Sequence, residues 1–245
     1  MIQALLAASA VGLLSFSGAI SLAISSQKLK KILIYLVAFS AGSLMGAAFF
    51  HILPEVIESG DNVLNIFLLA LAGFSLFFIL ERVLRWHHCH DVDCQTHEHL
   101  GWMNLIGDGI HNLIDGMVIF VAFLGGPALG IPVTLSIILH EVPQELGDFG
   151  VLLYSGFNKY KALFYNFVSA CLAIVGVFLA FWLNAYNEFI SAWLLPFAAG
   201  GFIYIAASDL IPEIHKDNKL VSAIGSYILF LVALAFMYFI KIYFE

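Results

Sequence analysis

This sequence has little charge. Only 11% of its 245 residues are Asp, Glu, Lys or Arg, while 62% are hydrophobic and the mean hydropathy is +0.97. A soluble domain averages about 25% charged residues. The balance excludes a soluble protein with a single anchor and predicts a polytopic membrane protein. The net charge of −7 says little about partners, because much of it comes from carboxylates inside apolar runs or in one loop. Basic residues are absent before Lys28, so the N-terminus lacks the positive region of a secretory leader and reads as a first span that is retained. The three cysteines, Cys89, Cys94 and Cys171, form no disulfide framework, and reduced thiols are expected. No stretch is long enough for an additional soluble domain, and 1–245 reads as one transmembrane domain.

What is present is a series of apolar runs. A spanning helix needs about 20 such residues. Runs of that length occur at roughly 1–25, 32–53, 63–84, 102–124, 128–154, 159–185, 189–213 and 219–243. The expected fold is therefore an all-α membrane protein of eight transmembrane helices. Lys28, Lys30, Lys31, Arg82, Arg85, Lys159, Lys161, Lys216 and Lys219 fall at alternate connections, and the opposite connections carry Glu55, Glu58, Asp61 and Glu188 without a basic residue. By the positive-inside rule both termini face outward. The cell membrane is the expected location, the lipid bilayer the surrounding partner, and no nucleic acid is expected as one.

The sequence also repeats. FSAGSLMGAAFFHILPEV, from Phe39, aligns without a gap on FAAGGFIYIAASDLIPEI, from Phe197, with Phe39/Phe197, Ala41/Ala199, Gly42/Gly200, Ala48/Ala206, Pro54/Pro212 and Glu55/Glu213 identical and His51 opposite Asp209. These are spans two and seven, which the charge pattern sends in opposite directions. Spans one to three and six to eight then read as inverted repeats around a central pair, a 3+2+3 arrangement with its site near mid-membrane.

That central pair carries the ionisable residues. Span four holds Asp108, His111, Asn112 and Asp115, and span five holds His140, Glu141, Gln144, Glu145 and Asp148. At about 100° per residue the first set falls within a sector of roughly 100°, the second within roughly 140°. An ionisable group at the bilayer centre costs roughly 2.5–3.5 kcal/mol on insertion scales, so such stripes need one another or a cation. Imidazoles, carboxylates and amide oxygens together suit a divalent transition metal. His111-Asn112-x-x-Asp115 and His140-Glu141-x-x-Gln144 repeat the same donor spacing, and facing helices with that pattern would hold two neighbouring metals bridged by Asp115 and Gln144. Pro143 denies the Leu139 carbonyl its helical partner and favours a kink. Asp108 and Asp148 lie on the cytoplasmic side of the histidines, as a release route would, and Glu145 and Asp209 are further candidates for it. A buried polar network that only ties helices together is the plainer alternative.

HNLIDG followed by HEVPQELGDF resembles the H-N-x-x-D-G and H-E-x-P-H-E-x-G-D motifs of the ZIP (ZRT/IRT-like) family of metal-ion transporters, and HILPE and DLIPE in spans two and seven fit the same family. The resemblance implies a carrier moving divalent metals, zinc and also iron, manganese or cadmium, into the cytoplasm through a binuclear site. It implies His111, Asp115, His140 and Gln144 at one metal, Asn112 and Glu141 with bridging Asp115 and Gln144 at the other, and His51 beside the route. It also implies a homodimer and a rigid-body or elevator-like movement. The metals are cargo; no prosthetic group is expected. The chain departs from the motif at Gln144, where the family has His; an amide oxygen is a harder, weaker ligand than imidazole, which puts the preference for zinc in question.

The connection at 86–101, expected in the cytoplasm, carries His87, His88, Cys89, His90, Asp91, Asp93, Cys94, His97, Glu98 and His99, a composition that reads as loose metal capture, although it contains no C-x-x-C. Two rival functions remain. An intramembrane metalloprotease uses H-E-x-x-H, but here the register reads H-E-V-P-Q. A sensor would bind metal without moving it. The expectation is a transporter and not an enzyme.

Overall fold

The computed structural model describes residues 1–21, 26–59, 62–86, 98–186, 190–216 and 220–244. Helix is the only regular structure among them. In chain order the elements are α1 (Ile2–Leu14), α2 (Ser17–Ser21), α3 (Ser26–Gly46), a π-helical segment π1 (Ala47–Ile52), α4 (Leu53–Glu58), α5 (Val63–Trp86), α6 (Glu98–Leu124) and α7 (Pro127–Tyr154). They continue with α8 (Lys159–Ala170), α9 (Leu172–Tyr186), α10 (Ile190–Tyr204), π2 (Ile205–Leu210), α11 (Ile211–Ile214) and α12 (Leu220–Phe244).

Among the described residues seven helical stretches are long and apolar enough to cross a membrane: Ile2–Ala19, Ile32–Glu58, Val63–Arg82, Gly101–Leu124, Lys159–Ala185, Ala192–Ile214 and Leu220–Tyr243. The remaining expected span, 128–154, is the 28-residue helix α7, long enough but loaded with Glu141, Glu145 and Asp148. The expected boundaries otherwise agree with these stretches to within six residues, the largest differences being at the ends of the first two. The expected loop 86–101 is shorter in the structure, because α5 runs through Trp86 and α6 already begins at Glu98. Its candidates His87, His88, Cys89, His90, Cys94 and His97, and the side chain of His99, lie outside the described residues.

Local chemistry sets the ends. Gly126, at φ +98°, makes the turn that lets Pro127 open α7, and Gly156, at φ +92°, does the same between α7 and α8. Both angles lie where a side chain is disfavoured. Asn158 caps α8 by accepting from the Tyr160 and Lys161 amides at 3.1 and 2.9 Å.

The two segments that align in sequence share a departure from α geometry. In the register that pairs Phe39 with Phe197, Ala47 falls on Ile205 and Ile52 on Leu210, so π1 and π2 coincide at both ends. In each, the amide closing the segment, Leu53 or Ile211, bonds the carbonyl five residues back, Ala48 or Ala206. The next residue in each is proline, Pro54 or Pro212, which has no amide to donate, so the wide turn forms where the regular ladder is broken anyway.

Packing is tightest in three helix pairs: α3 with α12, α5 with α10, and α6 with α9. In two of them glycines interlock. A Cβ on Gly116 would run into the Ala173 carbonyl and one on Gly176 into the Leu113 carbonyl; Gly73 and Gly200 stand in the same relation to Phe197 and Ala70. Small residues that let backbones touch are how helices associate where the surroundings are apolar. The main core, including Ala41, Leu44, Val118, Ile119, Val133, Ile137, Ala199 and Phe202, takes in the C-terminal half of α6 and the N-terminal half of α7. The outer faces of α5 and α12 expose Leu64, Phe67, Leu71, Ile228, Leu231 and Phe239.

Candidate metal centre

The site grows from α6 and α7, which run beside each other in opposite directions. His111 and Asp115 are one turn apart on α6, and His140 and Glu141 are neighbours on α7. His111 Nε2 and His140 Nε2 lie 3.1 Å apart. His111 Nε2 is 3.3 Å from Glu141 Oε1 and 3.7 Å from Asp115 Oδ2; His140 Nε2 is 3.3 Å from Asp115 Oδ2 and 3.6 Å from Glu141 Oε1. All four ligand atoms lie within 4.8 Å of one another. A tetrahedron of metal–ligand bonds ~2.05 Å long has edges of ~3.3 Å. Five of the six edges are therefore already near the length a bound zinc-sized ion would impose.

Burial makes the arrangement costly without a cation. Asp115, His140 and Glu141 are at most 1% exposed, and neither Glu141 oxygen nor Asp115 Oδ2 has a hydrogen bond. Buried carboxylates without partners are strongly disfavoured unless a cation compensates them. The imidazole of His140 is already oriented for ligation: its Nδ1 is 2.9 Å from the Ser136 carbonyl, which can only accept, so Nδ1 carries the proton and Nε2 keeps its lone pair for the centre. Phe77 and Phe202 close the walls, each with its ring 6.1 Å from an imidazole, His111 and His140 respectively.

Below the histidines the seam between the helices stays polar. Gln144 Nε2 donates to Asp108 Oδ1 at 3.3 Å, and Asn104 Nδ2 donates to Asp148 Oδ1 at 3.0 Å. The three cross-helix pairs, His111–His140, Asp108–Gln144 and Asn104–Asp148, descend one helical turn at a time and span about 11 Å. Asp108 Oδ2 and Asp148 Oδ2 are buried and make no hydrogen bond. Asn112 is fully buried; its Nδ2 donates to the Asp108 carbonyl at 3.1 Å and to Asp108 Oδ1 at 3.0 Å, leaving Oδ1 without a donor. Glu145 points away from the seam toward α8, where Asn166 donates to it.

The structure thus gathers four of the residues expected at the metals, His111, Asp115, His140 and Glu141, into one cage. It sets Asn112 and Gln144 against Asp108 instead. His51 is buried in π1 with Nε2 3.0 Å from the Met237 carbonyl, and Asp209 sits at the matching position of π2. Helix α7 continues through Pro143 without a break. The orphaned Leu139 carbonyl accepts from the Ser40 hydroxyl of α3. Ser40, Ser136, Asn104 and Asn166 were not legible as site residues in the sequence; only Pro143 hinted that a donor for Leu139 had to come from elsewhere.

A family model described as ZIP zinc transporter matches residues 1–90 and 85–241. The chain belongs to the ZIP family. Among its relatives is the zinc transporter zipt-7.1 of Caenorhabditis briggsae, 29% identical over 266 aligned positions covering 81% of this chain and 67% of that protein. Human zinc transporter ZIP10 is 37% identical over 147 positions, 55% of this chain and 18% of its own. The metal cation symporter ZIP14 of Xenopus tropicalis is 42% identical over 120 positions, 49% of this chain and 26% of its own. The chain thus spans between about a fifth and two thirds of these relatives' lengths. As a ZIP protein with seven apolar membrane-length helices, it is an integral multi-pass membrane protein.

Proposed function

We propose that this ZIP protein carries divalent transition-metal ions, zinc foremost, across the membrane into the cytoplasm. The observation that carries the reading is the buried cage of His111, Asp115, His140 and Glu141, whose ligand atoms stand at tetrahedral spacing while its carboxylates have no hydrogen-bond donors. The polar seam below the cage favours passage over simple binding, because a sensor has no need of further bare carboxylates leading away from its site. A catalytic zinc keeps one position open for water. Four protein donors at one centre therefore speak against the protease reading.

The finer parts of the proposal follow from this. A second ion would sit between Glu141, Asn112 and the bridging Asp115 and Gln144; the donor-free oxygens of Glu141 and Asn112 support it, and Gln144, whose Nε2 is the atom bonded to Asp108, would join through its Oε1. Helix α7 would be an eighth span inside a 3+2+3 array. The matching π1 and π2 support that, as do the exchanged pairings α3 on α12 and α10 on α5, which an inverted repeat requires. Both termini would face outward from the cell membrane. The seam would then open toward the side flanked by Arg82, Arg85, Lys159 and Lys161, which sets the direction of travel. Iron, manganese and cadmium are further cargo candidates, the histidine-bearing loop would collect released metal, and a homodimer is the proposed assembly.

The test is uptake of zinc, iron, manganese and cadmium into proteoliposomes. The proposal expects uptake by the wild type and none by Asp115→Ala. Normal uptake by that variant, or metal binding without any uptake, overturns it.

A further inference from the structure

We propose that Ser40, on a helix that contributes nothing to the cage, is a positioning residue for it: its hydroxyl fills the Leu139 carbonyl left open by Pro143 and so fixes the backbone from which His140 and Glu141 project. The inference rests on the reading of the cage as a metal site and adds a residue outside it.

The argument starts at Pro143. Its ring nitrogen carries no proton, so the carbonyl four residues back, Leu139, loses the donor that a regular helix supplies. That carbonyl lies in the peptide joining Leu139 to His140, and any rotation of the peptide swings the His140 side chain. The position is partly buried, and a carbonyl shielded from water without a donor is unfavourable. From α3, Ser40 is 1% exposed and its Oγ donates to Leu139 O. The same Oγ lies 2.8 Å from the Leu36 carbonyl of its own helix. A hydroxyl has one proton, and Leu36 already has the Ser40 amide as its helical partner, so Leu139 is the acceptor in need.

A second contact fastens the same turn of α7 in the opposite sense. Ser136 Oγ donates to the Ser43 carbonyl of α3 at 3.1 Å, while the Ser136 carbonyl accepts His140 Nδ1 at 2.9 Å. Ser40 and Ser43 thus straddle the turn 136–139, and the residue immediately after it is a ligand. The peptide oxygen on one side and the imidazole nitrogen on the other are both held, which leaves His140 Nε2 one direction in which to point.

The experiment is zinc affinity of the purified full chain in detergent, measured by equilibrium titration for wild type, Ser40→Ala, Ser40→Thr, Pro143→Ala and the Ser40→Ala/Pro143→Ala pair. Ser40→Ala is expected to weaken binding about tenfold, whereas Ser40→Thr, which keeps the hydroxyl, stays within roughly twofold of wild type. With Pro143→Ala the new amide serves Leu139, so adding Ser40→Ala should cost less than roughly twofold. Equal affinities for alanine and threonine at position 40, or the same loss in both backgrounds, overturn the role of Ser40 while leaving the cage intact. If Pro143→Ala binds no zinc, the alanine–threonine comparison decides alone. A wild-type chain that binds no zinc overturns the cage reading and, with it, this role.

Discussion

His111 and His140 face each other across α6 and α7 with their Nε2 atoms 3.1 Å apart, and the Nδ1 proton of His140 is committed to Ser136. Two imidazole nitrogens at that distance cannot both present lone pairs without something positive between them. Losing either ring should therefore remove the centre. His111→Ala and His140→Ala are each expected to weaken zinc binding by at least about 100-fold, the upper end of what even outer contacts contribute. Binding titrations on the purified variants would read this, and near-native affinity in either would show that the pair is structural.

Gln144 bonds Asp108 and not the cage, so the identity of residue 144 should alter selectivity more than folding. Gln144→His adds an imidazole at the edge of the centre and should shift preference toward zinc over manganese, because softer nitrogen favours zinc. Competition uptake with both metals measures the ratio. An unchanged ratio would mean that position 144 never reaches the cargo.

Asp108 and Asp148 each keep one buried oxygen without a donor, one and two turns below the histidines. Asp108→Asn and Asp148→Asn should leave zinc affinity at the cage within roughly threefold while lowering the maximal uptake rate about tenfold, the scale of one lost charged contact. Initial rates over a range of zinc concentrations separate the two effects. A raised KM with unchanged maximal rate would put these residues in binding and not in release.

Zinc should also stabilise the fold. With free metal at a hundredfold excess over Kd, linkage predicts about 2.7 kcal/mol. Thermal unfolding in detergent should rise by several degrees with zinc and fall back with a chelator. His140→Ala should show neither change.

The interlocked glycines give a prediction away from the site. Gly116→Ala or Gly176→Ala drives a methyl into a backbone carbonyl that cannot retreat, at a cost of about 1–3 kcal/mol. Gly150→Ala is the control, since nothing lies within 4 Å of its added carbon, and it should be neutral or slightly stabilising. Unfolding midpoints compare the three. Equal midpoints would mean that α6 and α9 pack less closely than described.

Much of the site was legible because its residues repeat at helical spacing inside runs where charge is otherwise absent: Asp108, His111, Asp115, His140, Glu141 and Asp148 announce themselves by cost alone. What the pattern left undecided was partnership. The family resemblance put Glu141 with Asn112, and only the rotation of α7 against α6 brings its Oε1 to both histidines. Ser40 and Ser136 were invisible for a different reason. A serine in an apolar helix normally bonds its own backbone, as Ser40 also does with Leu36, and nothing in the sequence says which helix lies opposite. The glycine pairs were hidden in the same way: each is ordinary alone and has meaning only across a contact between distant segments. The proline-bearing repeat was visible, but the widened turn before each proline was not, because periodicity cannot detect a one-residue change of phase within six residues.

That change of phase decides how the two halves respond to a change in length. A π turn absorbs about one residue more than an α turn, so everything beyond it is rotated by ~100° relative to an uninterrupted helix. Deleting one residue at Ala48 would remove the extra residue that the wide turn absorbs, so Pro54 and Glu55 would keep their present faces, whereas drawing π1 into α geometry at unchanged length would turn them by that angle. Ala206 occupies the same point in the other half. A single residue can therefore be lost at either point without realigning the helix end beyond it, whereas substitutions that favour α geometry there at unchanged length would rotate that end against its neighbours.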